Sequence, residues 1–269
     1  MTLKYGYKKS GYHNFGDYLA EYYYKNFISR TKHELNRSYI YLIGSVIHEE
    51  YMQDAYRRGV PIHYWSCGAR KSTDISRMLL DICTFHGVRG PLTSAVLGGD
   101  VEVVGDSALL LPLLYSPRVS NNYLNKKLFI PHLNTPCNES VLSSTGCDLI
   151  MSPSIQGSSR SVELWIDRVA SSKFILSASL HGAIVAYAYG VPFAFYSKGH
   201  IDCPFKWHDF SAYLGVTASF VDSVERGERW YLNSKIEDIK KQVARLIDTC
   251  PYEFTESLGL RSASGSVYV

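Results

Sequence analysis

Two hydrophobic spacings alternate along this chain. Short apolar runs suited to buried strands are followed by longer stretches of helical period, and polar or glycine-rich turns separate them. In the first half, strands are expected over residues 3–7, 39–43, 62–66, 82–85 and 101–104. Helices are expected over 18–27, with Asp17 as the cap, over 47–58, and from a Ser72-Thr73-Asp74 cap to Leu80. Pro91 suits the first position of a further helix. An apolar run then continues to Leu114, after which 115–125, rich in Ser, Pro and Asn, changes the character of the chain. A second series follows, with strands over 128–130, 174–176 and 193–196 and helices over 162–171, 183–189, 206–214 and 236–247. Residues 10–17 and 152–154 read as loops, and the small, polar tail from Ser257 is expected to be mobile.

Strand and helix in alternation imply an α/β chain with parallel sheets. The break at 115–125 divides it into two Rossmann-like domains, 1–116 and 117–269, whose strand-end loops face a shared cleft. Length and composition agree: 269 residues, 46% hydrophobic and 20% charged, describe a globular chain with ample core. A net charge of +3 without a basic run excludes a nucleic-acid footprint. The start, M-T-L-K-Y-G-Y-K-K, lacks an apolar leader, and no apolar run is long enough to cross a bilayer, so a cytoplasmic location is expected. The six cysteines form no C-x-x-C pair or metal-ligand spacing and read as reduced core residues. The 21 tyrosines read first as packing, with a sugar-stacking face as the alternative.

Candidate chemistry concentrates in S-A-S-L-H-G-A-I-V-A-Y-A-Y-G-V-P, from Ser177 to Pro192. A polar cluster interrupts an apolar stretch at the carboxyl end of one strand, where open α/β sheets bind ligands. Ser177 or Ser179 is a possible cap for the helix, Gly182 permits close backbone approach, and free amides beside His181 suit an anion. The plainer alternative is that His181 is a satisfied structural histidine. His13, Asn14 and Asp17 sit around two glycines in a strand-to-helix loop, and Gly44-Ser45 offers amides after another strand. Arg89 stands at the entrance to the helix opened by Pro91, placed either to grip an anion or to form a surface or interdomain ion pair. Asp106 follows the strand expected at 101–104.

The motifs N-F-G-D (14–17), I-G-S (43–45), V-R-G-P-L-T (88–93), V-V-G-D (103–106) and S-L-H-G (179–182) resemble, in order and spacing, those of the polysaccharide pyruvyl transferases. The resemblance implies a GT-B-like architecture, with 1–116 on the acceptor side and 117–269 on the donor side. It implies phosphoenolpyruvate as donor and a hydroxyl pair of a sugar or lipid-linked oligosaccharide as acceptor, joined as a pyruvate ketal. Neither a metal nor a redox cofactor is called for, and no oligomeric state is implied. By position, Arg89 matches the family's arginine for the donor anion and His181 its essential histidine, with Ser177, Ser179, Leu180 and Gly182 around the donor. Asn14, Asp17 and Asp106 match motif positions without assigned roles. Ser179 stands where many members carry arginine, and Arg70, Arg118, Arg160 and Lys198 are candidates to supply the missing charge. Transfer needs an acid to protonate the donor's methylene carbon and a base for the hydroxyl. His181 is expected to be that acid or a phosphate clamp, and Asp17, His13 and His132 are alternatives for the base. Exposed aromatic residues would suit proximity to a membrane-bound acceptor. Competing readings are a GT-B-type glycosyltransferase using a nucleotide sugar and an inactive carbohydrate-binding homologue.

Overall fold

A computed structural model describes residues 2–4, 8–9, 11–31, 37–236 and 243–254. The chain is α/β, with two parallel sheets. The first places Thr2–Leu3, Tyr39–Tyr41, Ile62–Tyr64 and Cys83–Phe85 side by side in chain order. The segment expected as a strand at 101–104 contributes only a single bridge, Val88 to Val103, because Gly105 at φ 93° turns the chain away. The second sheet runs in the order Phe220–Val221, Phe193–Tyr196, Phe174–Ser177, Lys127–Ile130, Leu149–Ile150. Its central strand, Phe174–Ser177, is buried throughout, as a doubly covered parallel strand must be.

Two small antiparallel ladders cross between the halves of the chain. Tyr12–Asn14 pairs with Ser154–Gln156, and Ile28–Thr31 with Tyr252–Phe254. Both loops expected at 10–17 and 152–154 are therefore partly strand: each supplies the other's ladder bonds, and neither has a hydrophobic alternation that announces it. The helix Phe15–Asn26 starts earlier than expected, because Asn14 rather than Asp17 is its cap. Asn14 Oδ1 accepts from the amides of Gly16 and Asp17 at 3.0 and 3.4 Å.

Phe15 stacks on Trp165 of the helix Ser159–Ser171, with ring centroids 3.8 Å apart. One hydrophobic cluster takes in Ile40 and Trp65 from the first half and Leu128 and Ile175 from the second. Residues 115–125 are tied down rather than loose: Tyr115 Oη and the Arg118 amide both donate to Asp167 Oδ1 at 2.8 Å. Tyr22 and Tyr23 are core residues and Tyr24 is exposed.

Several elements are shorter than their pattern suggested. The second helix is Glu49–Arg57, and the third is only Arg77–Leu80, without a side-chain cap from Ser72, Thr73 or Asp74. Val243–Thr249 overlaps the helix expected at 236–247, of which 237–242 lie outside the described residues, as does the tail from Ser257. All six cysteines are free thiols; Cys67 and Cys250 are buried as expected, whereas Cys137 is exposed.

Candidate active site

A cavity of about 360 Å³ opens between the carboxyl ends of the two sheets. From the first half it is lined by Asn14, Asp17, Gly44, Ser45 and Arg70, and from the second by His132, Ser179, Leu180, His181, Asp202 and Lys206. Gly44 lies beyond Tyr39–Tyr41, His132 beyond Lys127–Ile130, and Ser179 beyond Phe174–Ser177. These three thus leave parallel strands at their carboxyl ends, the position at which such sheets bind ligands, whereas Asn14 and Asp17 follow the antiparallel strand Tyr12–Asn14.

His181 occupies the first turn of the helix Leu180–Ala188. Ser179 holds the cap position yet makes no side-chain bond to the helix amides, contrary to expectation. Ser177 does not cap either. Its Oγ accepts from the Ser179 amide at 3.1 Å and donates to the Ser179 carbonyl at 2.7 Å, shaping the turn instead. Ser177 is fully buried and does not line the cavity. Gly182 likewise serves packing rather than ligand approach, since a β-carbon there would collide with Ser177 Oγ. The uncapped first turn leaves backbone N–H groups at the cavity wall, a setting that favours anions.

The imidazole of His181 lies against Gly16, which immediately precedes the cavity-lining Asp17. Burial pulls its pKa down to about 4, with Asp17 opposing and Arg89 and Lys206 reinforcing the shift, so the ring is neutral at pH 7. Behind it sits Asp106, fully buried and outside the cavity lining. Asp106 Oδ1 accepts from the Ala108 amide at 3.0 Å, and Oδ2 lies 3.7 Å from His181 Nε2. Burial raises the Asp106 pKa to about 6 against the attraction of Arg89.

Arg89 does not line the cavity. It is fully buried, and its Nε and Nη2 donate to Asp209 Oδ2 at 3.2 and 3.1 Å. A buried ion pair between the two halves of the chain, rather than the anion grip, is the geometry found. Nη1 donates to Ser45 Oγ at 2.9 Å, so Arg89 reaches the cavity wall through Ser45. Asp209 also accepts from the Thr93 amide and hydroxyl at 2.9 and 2.8 Å. Gly68 is required here, because a β-carbon would fall within the guanidinium group.

His132 lies 3.7 Å from Asp202 Oδ2, which accepts from Lys206 Nζ at 2.7 Å. Burial lowers the His132 pKa, with Asp202 opposing. His132 and Asp202 also line an adjoining cavity of about 300 Å³ floored by Phe129, Tyr196 and Trp207. Of the three bases considered, Asp17 and His132 reach the main cavity. His13 does not: pairing of Tyr12–Asn14 with Ser154–Gln156 turns it inward, where its ring packs 4.7 Å from Tyr18. Of the cations considered, Arg70 lines the main cavity and Lys198 the adjoining one; Arg118 and Arg160 line neither. Sequence reasoning passed over Lys206 and Asp202, whose one signal is an i,i+4 acid–base pair at the start of the helix Pro204–Tyr213. Among the described residues, no group of three His, Cys, Asp or Glu is placed to hold a metal ion, and no helix is long and apolar enough to cross a membrane.

A family model for polysaccharide pyruvyl transferase matches residues 9–199. Among curated proteins, the succinoglycan biosynthesis protein ExoV of Rhizobium meliloti (strain 1021) is 30% identical over 134 residues, or 49% of this chain and 41% of that protein. The chain thus matches about two fifths of that relative's length. Among solved structures, the functionally uncharacterized protein KP1_0663 of Klebsiella pneumoniae subsp. pneumoniae NTUH-K2044 aligns with a TM-score of 0.42 and 16% identity, over 70% of this chain and 80% of that one. The family match covers well over half of the chain and includes the cavity-lining loops at Asn14, Ser45 and His181. On that match, the chain belongs to the polysaccharide pyruvyl transferase family.

Proposed function

We propose that this chain transfers the enolpyruvyl group of phosphoenolpyruvate onto two hydroxyls of one sugar in an exopolysaccharide or its lipid-linked precursor. The product would be a pyruvate ketal. One observation carries the reading: an uncapped helix start, two cations (Arg70 and Lys206) and two histidines held toward neutrality converge on one cavity. The donor carries a phosphate and a carboxylate, and its reaction moves protons in both directions. Such a ligand uses every one of those features.

The phosphate is assigned to the amides at the start of Leu180–Ala188, and the carboxylate to Arg70 and Lys206. These two side chains offset the absence of arginine at Ser179. Arg89 acts indirectly, holding Ser45 in the wall through a 2.9 Å hydrogen bond. In the reaction the methylene carbon gains a proton, the neighbouring carbon becomes electrophilic, and the first hydroxyl attacks it. Phosphate then departs with the electrons of its carbon–oxygen bond, and the second hydroxyl closes the ketal. One hydroxyl proton balances the new methyl hydrogen and the other leaves with phosphate. The reduction at the methylene carbon and the oxidation at its neighbour cancel within the pyruvyl group, so the chemistry calls for no redox cofactor. His181, His132 and Asp17 are the proton-handling groups at the cavity. The two sheets would act as GT-B-like lobes, 1–116 toward the acceptor and 117–269 toward the donor, working in the cytoplasm at the inner face of the membrane.

Calorimetric titration with phosphoenolpyruvate tests this, with UDP- and GDP-sugars as controls. Binding to phosphoenolpyruvate alone is expected, weakened roughly tenfold or more by Arg70→Ala and by Lys206→Ala, the loss of one charge-assisted contact each. Binding of a nucleotide sugar in its place would make the chain a glycosyltransferase, and binding of neither would favour an inactive carbohydrate-binding protein.

A further inference from the structure

His181 Nε2 and Asp106 Oδ2 are both buried without a hydrogen-bond partner, and they face each other at 3.7 Å. An unmet buried polar atom is costly, and two lone pairs opposed at this distance would add repulsion. A proton on Nε2 resolves both at once, pointing at the carboxylate. Asp106 cannot turn away, because its other oxygen is engaged by the Ala108 amide at 3.0 Å. Nε2 is the ring nitrogen sealed from solvent without a partner. Nδ1 packs against Gly16, where no β-carbon stands in its way, and unlike Nε2 it is not sealed without a partner; His181 itself lines the cavity.

We propose that Asp106 is a positioning residue: it fixes His181 as the Nε2–H tautomer, so that Nδ1 meets the cavity unprotonated and takes the proton of the attacking sugar hydroxyl. The proton-transfer step rests on the pyruvyl-transfer reading, whereas the tautomer does not. In that step the hydroxyl O–H bond breaks as its oxygen bonds to the donor carbon, whose methylene neighbour has been protonated by a separate cavity acid. The proton passes to Nδ1, and the resulting imidazolium lies against the Asp106 carboxylate.

The surrounding charges suit a base more than an acid. Asp17 faces His181 from the helix Phe15–Asn26, Lys206 from Pro204–Tyr213, and Arg89 from the strand-end segment before Pro91–Val96. Arg89 and Asp209 face Asp106. The two cations oppose a resting imidazolium, so His181 stands ready to accept a proton. In this proposal His181 takes the part of the base, where the sequence led to the expectation of an acid or a phosphate clamp.

Long-range nitrogen–proton correlation spectra of nitrogen-15-labelled protein report histidine tautomers directly, with the His181 signals identified by their loss in His181→Asn. The wild-type protein is expected to show His181 as the Nε2–H tautomer at neutral pH; an Nδ1–H tautomer there would overturn the proposal, whatever the Asp106 variants do. In Asp106→Asn, the Ala108 amide keeps the side-chain oxygen, so the new NH2 group faces Nε2 and forces the proton onto Nδ1. That variant should show the switched tautomer and a fall of roughly hundredfold in kcat, the scale of general base catalysis, with KM for phosphoenolpyruvate little changed. Asp106→Glu should restore part of the rate. An unchanged tautomer in Asp106→Asn would also overturn the proposal. Should the wild-type protein not turn over phosphoenolpyruvate, the pyruvyl reading and the proton-transfer step fall, and the spectra still decide the tautomer.

Discussion

No β-carbon fits at Gly16, because the imidazole of His181 occupies that space. The contact brings two helix starts together and places a titrating ring between Asp17 in front and Asp106 behind. The Asp106 and His181 shifts have opposite consequences for stability. Asp106, raised from 3.8 to about 6, holds its proton better folded than unfolded, so its contribution is lost as pH rises through that window. His181, lowered from 6.5 to about 4, refuses a proton that the unfolded chain accepts, so its contribution is lost as pH falls from 6.5 toward 4. In the wild-type protein the two slopes oppose each other. In His181→Asn only the Asp106 slope survives, so relative to wild type its unfolding free energy should fall as pH rises from about 4 to 6. Urea denaturation across that range checks the sign, and a relative rise would contradict it.

The helices and strands are positioned by contacts that reach between elements. Arg89 and Asp209 join the entrance of the helix Pro91–Val96 to Pro204–Tyr213, the helix that carries Lys206 into the cavity. Both side chains are fully buried, so removing one leaves the other charge uncompensated. Arg89→Met should cost about 3–5 kcal/mol in chemical denaturation, while Arg89→Met with Asp209→Leu should cost clearly less. Equal losses would mean that the pair adds no more than volume. Within single elements much was legible. The apolar faces of Ser159–Ser171 and Leu180–Ala188, the stop at Gly190 and Pro91 at a helix start were all readable from nearby residues. The cap was not: whether Asn14 or Asp17 serves depends on where the ladder with Ser154–Gln156 ends.

Across the whole molecule, one cluster draws core residues from both sheets, and two ladders tie early strands to late ones. Each half also holds a smaller cluster of its own, but the largest cluster spans both, so calorimetric unfolding should show one transition despite the break in pattern at 115–125. Two separated transitions would show independent domains instead. The sequence by itself determined the α/β class, most of the parallel strands, and the loops that bring His181, Asn14, Asp17 and Ser45 to strand ends. Periodicity and capping are local, and a chain displays them without reference to distant partners. Only the tertiary structure decided that Arg89 pairs with Asp209, that His13 turns inward, that Asp106 stands behind His181, and that Lys206 and Asp202 complete the cavity. A hydrophobic pattern records which face of an element is covered, whereas what covers it is settled only when elements far apart in the chain meet.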